Sequence, residues 1–268
     1  LVQTSCTLLG DDIVTVTGLT QANFDEDGKT PAWFAALKAN HVDNLGIKDN
    51  DDLAISVAKY KGLGDIVLVT SGTITLTDTA AELARSTTDL AHLRDHGITA
   101  IKVSDGNPLK LSVAQYRDLN NGSVTLNADD TVVISDTVEH LKSLTDTELS
   151  GLADKNVDSI DATDATLELT VKQATELGKV AFGDINLVKI VDSVAEINTL
   201  DKAKLTQLNV NGLDVIDATD ANPVIYLTVE KVLALGHISF AADDAVDLQD
   251  EAGNIDCLLY TSPSPRDQ

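Results

Sequence analysis

The sequence predicts an α/β fold of tandem repeats, stacked as an elongated solenoid. Three observations carry this. First, equivalent residues recur at a near-constant interval: Val57, Val113, Val171 and Val229 lie 56, 58 and 58 residues apart, and Asp78, Asp136, Asp192 and Asp250 lie 58, 56 and 58 apart. A third series, Asp49, Asp105, Asp164 and Asp220, has spacings of 56, 59 and 56. Second, each copy alternates β-branched runs with helical patterns bounded by capping residues. Third, no Pro- or Ser-rich linker separates the copies, so stacking is favoured over the alternative, a string of small α+β domains. A 56-residue unit buries little alone, and stacking supplies a continuous core.

The copies divide as 1–72 (a degenerate first repeat), 73–130, 131–186, 187–244 and 245–256 (the start of a truncated repeat). The copy at 131–186 sets the pattern. Thr131 to Ser135 is β-branched and reads as a strand. Asp136 is placed to cap a short helix carrying Val138, Leu141 and Leu144. Thr145-x-x-Glu148 is a capping box, and it opens a second helix with Leu149, Leu152 and Ala153 at helical spacing. Asn156 stops it, as Gly97 and Gly212 do in the neighbouring copies. Val157 to Ile160 is the next strand, ending in the loop Asp161 to Asp164. Leu167-Glu168-Leu169 is a short strand. Thr170-x-x-Gln173, matched by Ser112-x-x-Gln115, is another capping box, and that helix ends at Gly178. Val180 to Phe182 closes the repeat. The order is β-α-α-β-β-α-β, with equivalent strands of successive repeats expected to pair into sheets.

The degenerate first copy follows the order loosely. Val14 to Thr17 alternates as a strand, and Asn23 to Gly28 reads as a polar loop. Thr30-Pro31 opens a helix with Pro at its first position. That helix carries Trp33, Phe34 and Leu37, and a strand follows near Val42 to Ile47. Trp33 and Phe34 are expected to pack the end of the array.

Composition narrows the function. With 43 acidic against 19 basic residues the net charge is −24, and the pI is near 4.2. Such a surface disfavours nucleic acid and anionic membrane and favours cations or basic partners. Aromatic residues are 3% of the chain, so the core is built from Leu, Val, Ile and Ala. No apolar run approaches the ~20 residues that span a bilayer. Cys6 has no partner for a disulfide framework. The chain starts at Leu1 without any Met and reads as a fragment of a longer protein. Its last segment, 257–268, departs from the repeat: Cys257 to Asp267 (CLLYTSPSPRD) resembles a translated sequencing adapter and is set aside as a non-native tail.

The acidic loops are the best candidates for binding chemistry. Asp161, Asp164, Asp217 and Asp220 offer oxygen ligands, and Ca²⁺ takes six to eight of them. The loops at Asp49, Asp51 and Asp52, at Asn127, Asp129 and Asp130, and at Asp243 and Asp244 share the composition. None matches the twelve-residue calcium hand. The competing reading is that Asp and Asn recur there as caps and side-chain turns. Catalysis finds little support. The five histidines fall at unrelated repeat positions. His92 and His96 stand i, i+4 without the glutamate of a zinc-protease helix, and a metal site wants further ligands. Gly62-x-Gly64 reads as a helix end. A glycan-active enzyme with paired carboxylates is a distant alternative, disfavoured by nine aromatic residues in all.

The pattern carried by Asp136-Thr137, by Val157-Asp158-Ser159-Ile160-Asp161-Ala162-Thr163-Asp164 and by Leu169-Thr170-Val171-Lys172-Gln173 resembles tandem repeats of large acidic secreted bacterial surface proteins, of the RTX and type I secretion adhesin class. The resemblance covers roughly Thr73 to Asp256 well and Val14 to Gly72 loosely, and the glycine-rich calcium nonapeptide of that class is absent. It implies a secreted or cell-surface location and a scaffold, spacer or adhesive role without catalysis. The implied partners are neighbouring repeats of the parent chain and a surface or matrix component. No resident cofactor is expected, Ca²⁺ being the one candidate ion.

Overall fold

The computed structural model describes residues 13–25, 33–48, 51–85, 89–183 and 187–255. The chain divides into two compact units, Leu1–Val132 and Val133–Gln268.

The first unit begins with β1 (Thr15–Leu19), α1 (Gln21–Phe24), α2 (Trp33–Ala39) and β2 (Asn44–Ile47). β3 (Leu53–Ile55), α3 (Val57–Leu63) and β4 (Val67–Val69) follow. Next come β5 (Ile74–Asp78), α4 (Ala80–Leu83), a 3-10 turn at Arg94–His96 and β6 (Ala100–Val103). β7 (Leu109–Leu111), α5 (Val113–Asn121) and β8 (Thr125–Leu126) complete it.

β9 (Val132–Asp136) leads into the second unit, with α6 (Val138–Lys142), α7 (Asp146–Gly151), a 3-10 turn at Ala153–Lys155 and β10 (Ser159–Ala162). β11 (Leu167–Leu169), α8 (Val171–Glu176) and β12 (Ala181–Phe182) follow. Then come β13 (Val188–Asp192), α9 (Val194–Ile197), α10 (Lys202–Asn211) and β14 (Val215–Ala218). β15 (Val224–Leu227), α11 (Val229–Leu235), β16 (Ser239–Phe240) and β17 (Ala245–Leu248) end the described elements.

Within the units the strand pairings are parallel, as crossover helices between neighbouring strands require. In the first unit the sheets run β1-β2-β4 and β3-β5-β6-β8. In the second, β12-β10-β9 pair in that order, beside β11-β13-β14-β16 and β15-β17. The strands that pair are not equivalent ones, which corrects the expected arrangement. β3 and β4 are separated only by α3, yet β3 joins β5 while β4 returns to β2. In the same way β15 joins β17 while β16 returns to β14. Within the units β3, β11 and β15, the third strands of their copies, thus join the leading strand of the following copy. A three-residue strand such as Leu167–Leu169, buried–exposed–buried, has one apolar face whichever sheet it enters. The sheet it joins is decided by where its neighbours come from, at long range.

The aliphatic core is built from those strand faces. Ile74, Leu76, Ile101, Leu109 and Leu111 in the first unit, and Ile134, Leu167, Ile190, Ile216 and Ile225 in the second, are at most 1% exposed. The helices add Leu83, Leu119, Leu149, Leu205 and Leu208.

Several local expectations need correction. The N-cap of α6 is Thr137, whose hydroxyl accepts from the His140 N–H, and Asp136 stands one residue earlier. A hydroxyl one bond from Cβ reaches the third helical N–H, leaving the carboxylate for its neighbours. Ala153 is exposed, because the helix tightens to a 3-10 turn after Leu152. Part of the expected loop at Asn23 to Gly28 is helix α1. The Asn23 side chain accepts from Thr20 N–H at 2.8 Å, and Phe24 is fully buried against Phe34, ring centroids 6.1 Å apart. Cys6, Thr30-Pro31, Asp49, the Trp33 side chain and the tail from Cys257 lie outside the described residues.

Candidate functional site

The recurrent aspartates make the most regular polar feature of the protein. Four positions of the repeat are involved, and each meets backbone N–H groups. The first is the residue closing the leading strand. Asp192 accepts from Ser193 N–H at 2.8 Å and from Val171 N–H at 3.0 Å. Asp78 does the same for Thr79 and Val57, at 2.8 and 3.0 Å. Asp250 does so for Glu251 and Val229, at 2.8 and 2.9 Å. Val57, Val171 and Val229 are the first residues of α3, α8 and α11, whose opening N–H groups have no intrahelical acceptor. One carboxylate therefore ties the start of one helix to the strand of the next copy.

The second position is the loop after the second long strand. Asp164 accepts from Val138 N–H at 2.9 Å, Asp220 from Val194 N–H at 2.5 Å and Asp105 from Ala80 N–H at 3.2 Å. Each reaches the first residue of a helix some 25 or 26 residues earlier in the chain. The third position precedes that strand and the fourth follows the last one. Asp214 accepts from Val188 N–H at 2.8 Å and Asp130 from Val103 N–H at 2.6 Å. Ile74 N–H is met by the Thr99 hydroxyl instead, at 3.1 Å.

Of the predicted calcium ligands, Asp164 and Asp220 are thus engaged as caps. Asp161 accepts from the Ser135 hydroxyl at 3.3 Å, and Asp217 pairs with Lys189 at 3.7 Å. The structure does not gather these four. It gathers Asp217 with Asp243 and Asp244, one oxygen of each lying within 4.8 Å of the others. Oxygens so spaced fit around a cation at ~2.4 Å. Among the described residues this is the one group of three metal-ligating side chains so placed. Asp244 also accepts from Ala218 N–H, at 3.3 and 3.2 Å. Its carboxyl is raised above the ordinary aspartate range, first by partial burial and then by the charges of Asp217 and Asp243. Sequence reading named all three residues but not their meeting, which spans two sheet strands and a turn.

The two histidines are occupied separately. His92 Nδ1 lies 2.9 Å from Asp89, whose hydrogen bond and charge raise its pKa. His96 Nδ1 lies 3.2 Å from the Ile66 carbonyl oxygen, with the ring edge-on to Tyr60 at 5.5 Å. Tyr60 donates to the Asp89 carbonyl oxygen at 3.2 Å, and burial, with the charges of Asp89 and Asp95, pushes its phenol to about 12. Gly64, with φ of +62°, ends α3, as Gly62-x-Gly64 predicted. An open groove along α10 and α11 is lined by Asp201, Lys202, Thr206, Gln207, Val210 and Glu230. Asp201 is already the cap of α10, accepting from Lys204 N–H at 2.9 Å.

A scan against models of known protein families and a search of curated proteins both return no match. No helix among the described residues is long and apolar enough to cross a membrane.

Proposed function

We propose that this chain is a structural segment of a repeat array, a scaffold or spacer of a secreted or cell-surface protein, with no catalytic centre of its own. The observation that supports it most is the use of the recurrent aspartates. Asp78, Asp192 and Asp250 each join the end of one copy's leading strand to the last helix of the copy before it, and Asp105, Asp164 and Asp220 cap helices inside their own copies, so the repeated polar chemistry is spent on holding the copies together. The solenoid belongs to this reading: handing a strand from each copy to the following sheet can continue without limit. The partners would be neighbouring repeats of the parent chain and a surface or matrix component. The test is to build chains with one to four additional copies of 131–186 and measure their maximum dimension by small-angle scattering. A spacer lengthens by a constant increment per copy. A maximum dimension that grows only as the cube root of mass would refute the array.

A second reading, calcium stiffening, is favoured by the cluster of Asp217, Asp243 and Asp244. Binding to the folded state alone raises the melting temperature in proportion to RT ln(1 + [L]/Kd). At fixed ionic strength Ca²⁺ would then raise the melting temperature saturably, Mg²⁺ would not, and Asp243→Asn would abolish the rise. A flat response to Ca²⁺ would leave the three carboxylates as surface charge.

A further inference from the structure

We propose that the open edge of β17 is a docking site for a helix–strand segment of the repeat's own kind. The proposal rests on the array reading. In the sheet β11-β13-β14-β16, strand β13 is flanked on both sides, by β11 and by β14. β17 holds the place of β13: it pairs with β15 from Val224↔Ala245 to Leu227↔Leu248. Its other edge carries no strand among the described residues.

The side chains register the difference. Val246 is 44% exposed, while its counterparts Val188, Val132 and Ile74 are 1%, 0% and 0% exposed. Leu248 is half-buried, where Ile190, Ile134 and Leu76 are all fully buried. An edge with core residues left in water is a template for strand addition.

The complete sheets also specify the occupant. Onto β13 comes a helix, α10, a left-handed turn at Gly212 and then a parallel strand. That segment makes four polar contacts: Asp214 N–H to the Val188 carbonyl at 3.1 Å, the Asp214 carboxylate to Val188 N–H at 2.8 Å, Thr219 N–H to the Asp192 carbonyl at 2.9 Å, and the Asp220 carboxylate to Val194 N–H at 2.5 Å. The copy at 131–186 repeats two of them, through Thr163 and Asp164. Adding 58 to Val188, Asp192 and Val194 gives Val246, Asp250 and Ala252 as the receiving groups. The ligand is therefore a helix that buries two leucines three residues apart, as Leu205 and Leu208 are buried in α10, a left-handed residue and a strand with aspartates six apart around an apolar residue. A second molecule docking edge to edge would supply none of these aspartates.

The experiment uses the full chain and a fluorescent synthetic peptide of residues 201–222, read by anisotropy. The expected result is saturable binding, weakened at least tenfold by Asp214→Ala with Asp220→Ala in the peptide, and lost with Leu248→Asp in the chain. Because Leu248→Asp could act through folding, register supplies a second readout. With Cys6 and Cys257 replaced by Ser, Asp247→Cys should form a disulfide with a Val215→Cys peptide, the pair that corresponds to Lys189↔Val215. No binding at 1 mM peptide, binding indifferent to the peptide aspartates, or self-association of the chain through this edge would each overturn the proposal. The scattering increments of extended chains do not depend on this peptide, so the array reading stands or falls separately.

Discussion

Asp192 stands between two helix starts and holds one N–H of each element with a separate oxygen. Removing it strands both donors. Each lost cap costs about 1 kcal/mol, so Asp192→Ala is expected to destabilise by about 2 kcal/mol. Asp217→Ala, which removes a partner of Lys189 at 3.7 Å in a partly exposed pair, should change stability by under about 0.5 kcal/mol. Urea midpoints at constant slope distinguish the two, and equal losses would contradict the capping role. The same network fixes a pH dependence. Hydrogen bonds, first that from the Asn107 side chain, hold the Asp105 carboxyl below the ordinary aspartate range, and Asn254 does the same for Asp250. A lowered folded-state pKa gives stability that is present above the unfolded value and lost as pH falls through the folded one. The stability gap between the parent and Asp105→Ala should therefore narrow as pH drops from 7 towards 3. Asp244 has the opposite sign: its raised carboxyl favours the folded state at low pH and loses that contribution as pH rises. The sequence alone showed that these aspartates recur. It did not show whether they meet a cation or a peptide N–H, because the group each one meets lies about 21 to 27 residues earlier in the chain.

At the level of elements, the helix boundaries were the most legible part. Thr145-x-x-Glu148, Thr170-x-x-Gln173 and Ser112-x-x-Gln115 all form reciprocal capping boxes, because such a cap is decided within four residues. The helix stops are equally local. Gly97, Asn156 and Gly212 have φ of +84°, +59° and +94°. His41 holds the same repeat position at +53°, a weaker signal than glycine or asparagine although histidine too is enriched in the left-handed region. The stops differ in what surrounds them. A Cβ on Gly97 would overlap the carbonyl oxygen of Leu68, while around Gly212 the nearest atom is 3.7 Å away. Gly212→Ala is expected to cost about 1 kcal/mol, the strain of a left-handed alanine. Gly97→Ala adds a clash with backbone and should cost about 3 kcal/mol or more. Thermal midpoints of the two variants check this, and parity would mean that the Leu68 strand yields freely. The exchange of β3, β11 and β15 into the following sheet was not legible. A strand of three or four residues specifies a face, and its partner is chosen by packing at long range.

Over the whole molecule the charge imbalance, 43 acidic against 19 basic residues, opposes compactness. Ion pairs of the described residues include Arg85 with Glu82, Lys142 with Glu168 and Lys172 with Asp146, all exposed, and the partly exposed Lys189 with Asp217. Attraction of that kind contributes little, and the surplus of carboxylates repels over many pairs. Screening acts on both, and the Debye length shortens from about 30 Å at 0.01 M salt to about 10 Å at 0.1 M. Repulsion between distant like charges is the larger sum here, so it is the larger effect to be screened. Raising NaCl from 0.01 to 0.5 M should therefore raise the urea midpoint, steeply at first and flattening once the screening length falls below the spacing of neighbouring carboxylates. The capping contacts, each within hydrogen-bond distance of its N–H, should survive that screening, so the loss caused by Asp192→Ala should hold nearly constant across the same range. A midpoint that falls with salt would mean that the ion pairs outweigh the excess charge. A salt-dependent Asp192→Ala loss would mean that its carboxylate acts as a long-range charge and not through its two hydrogen bonds.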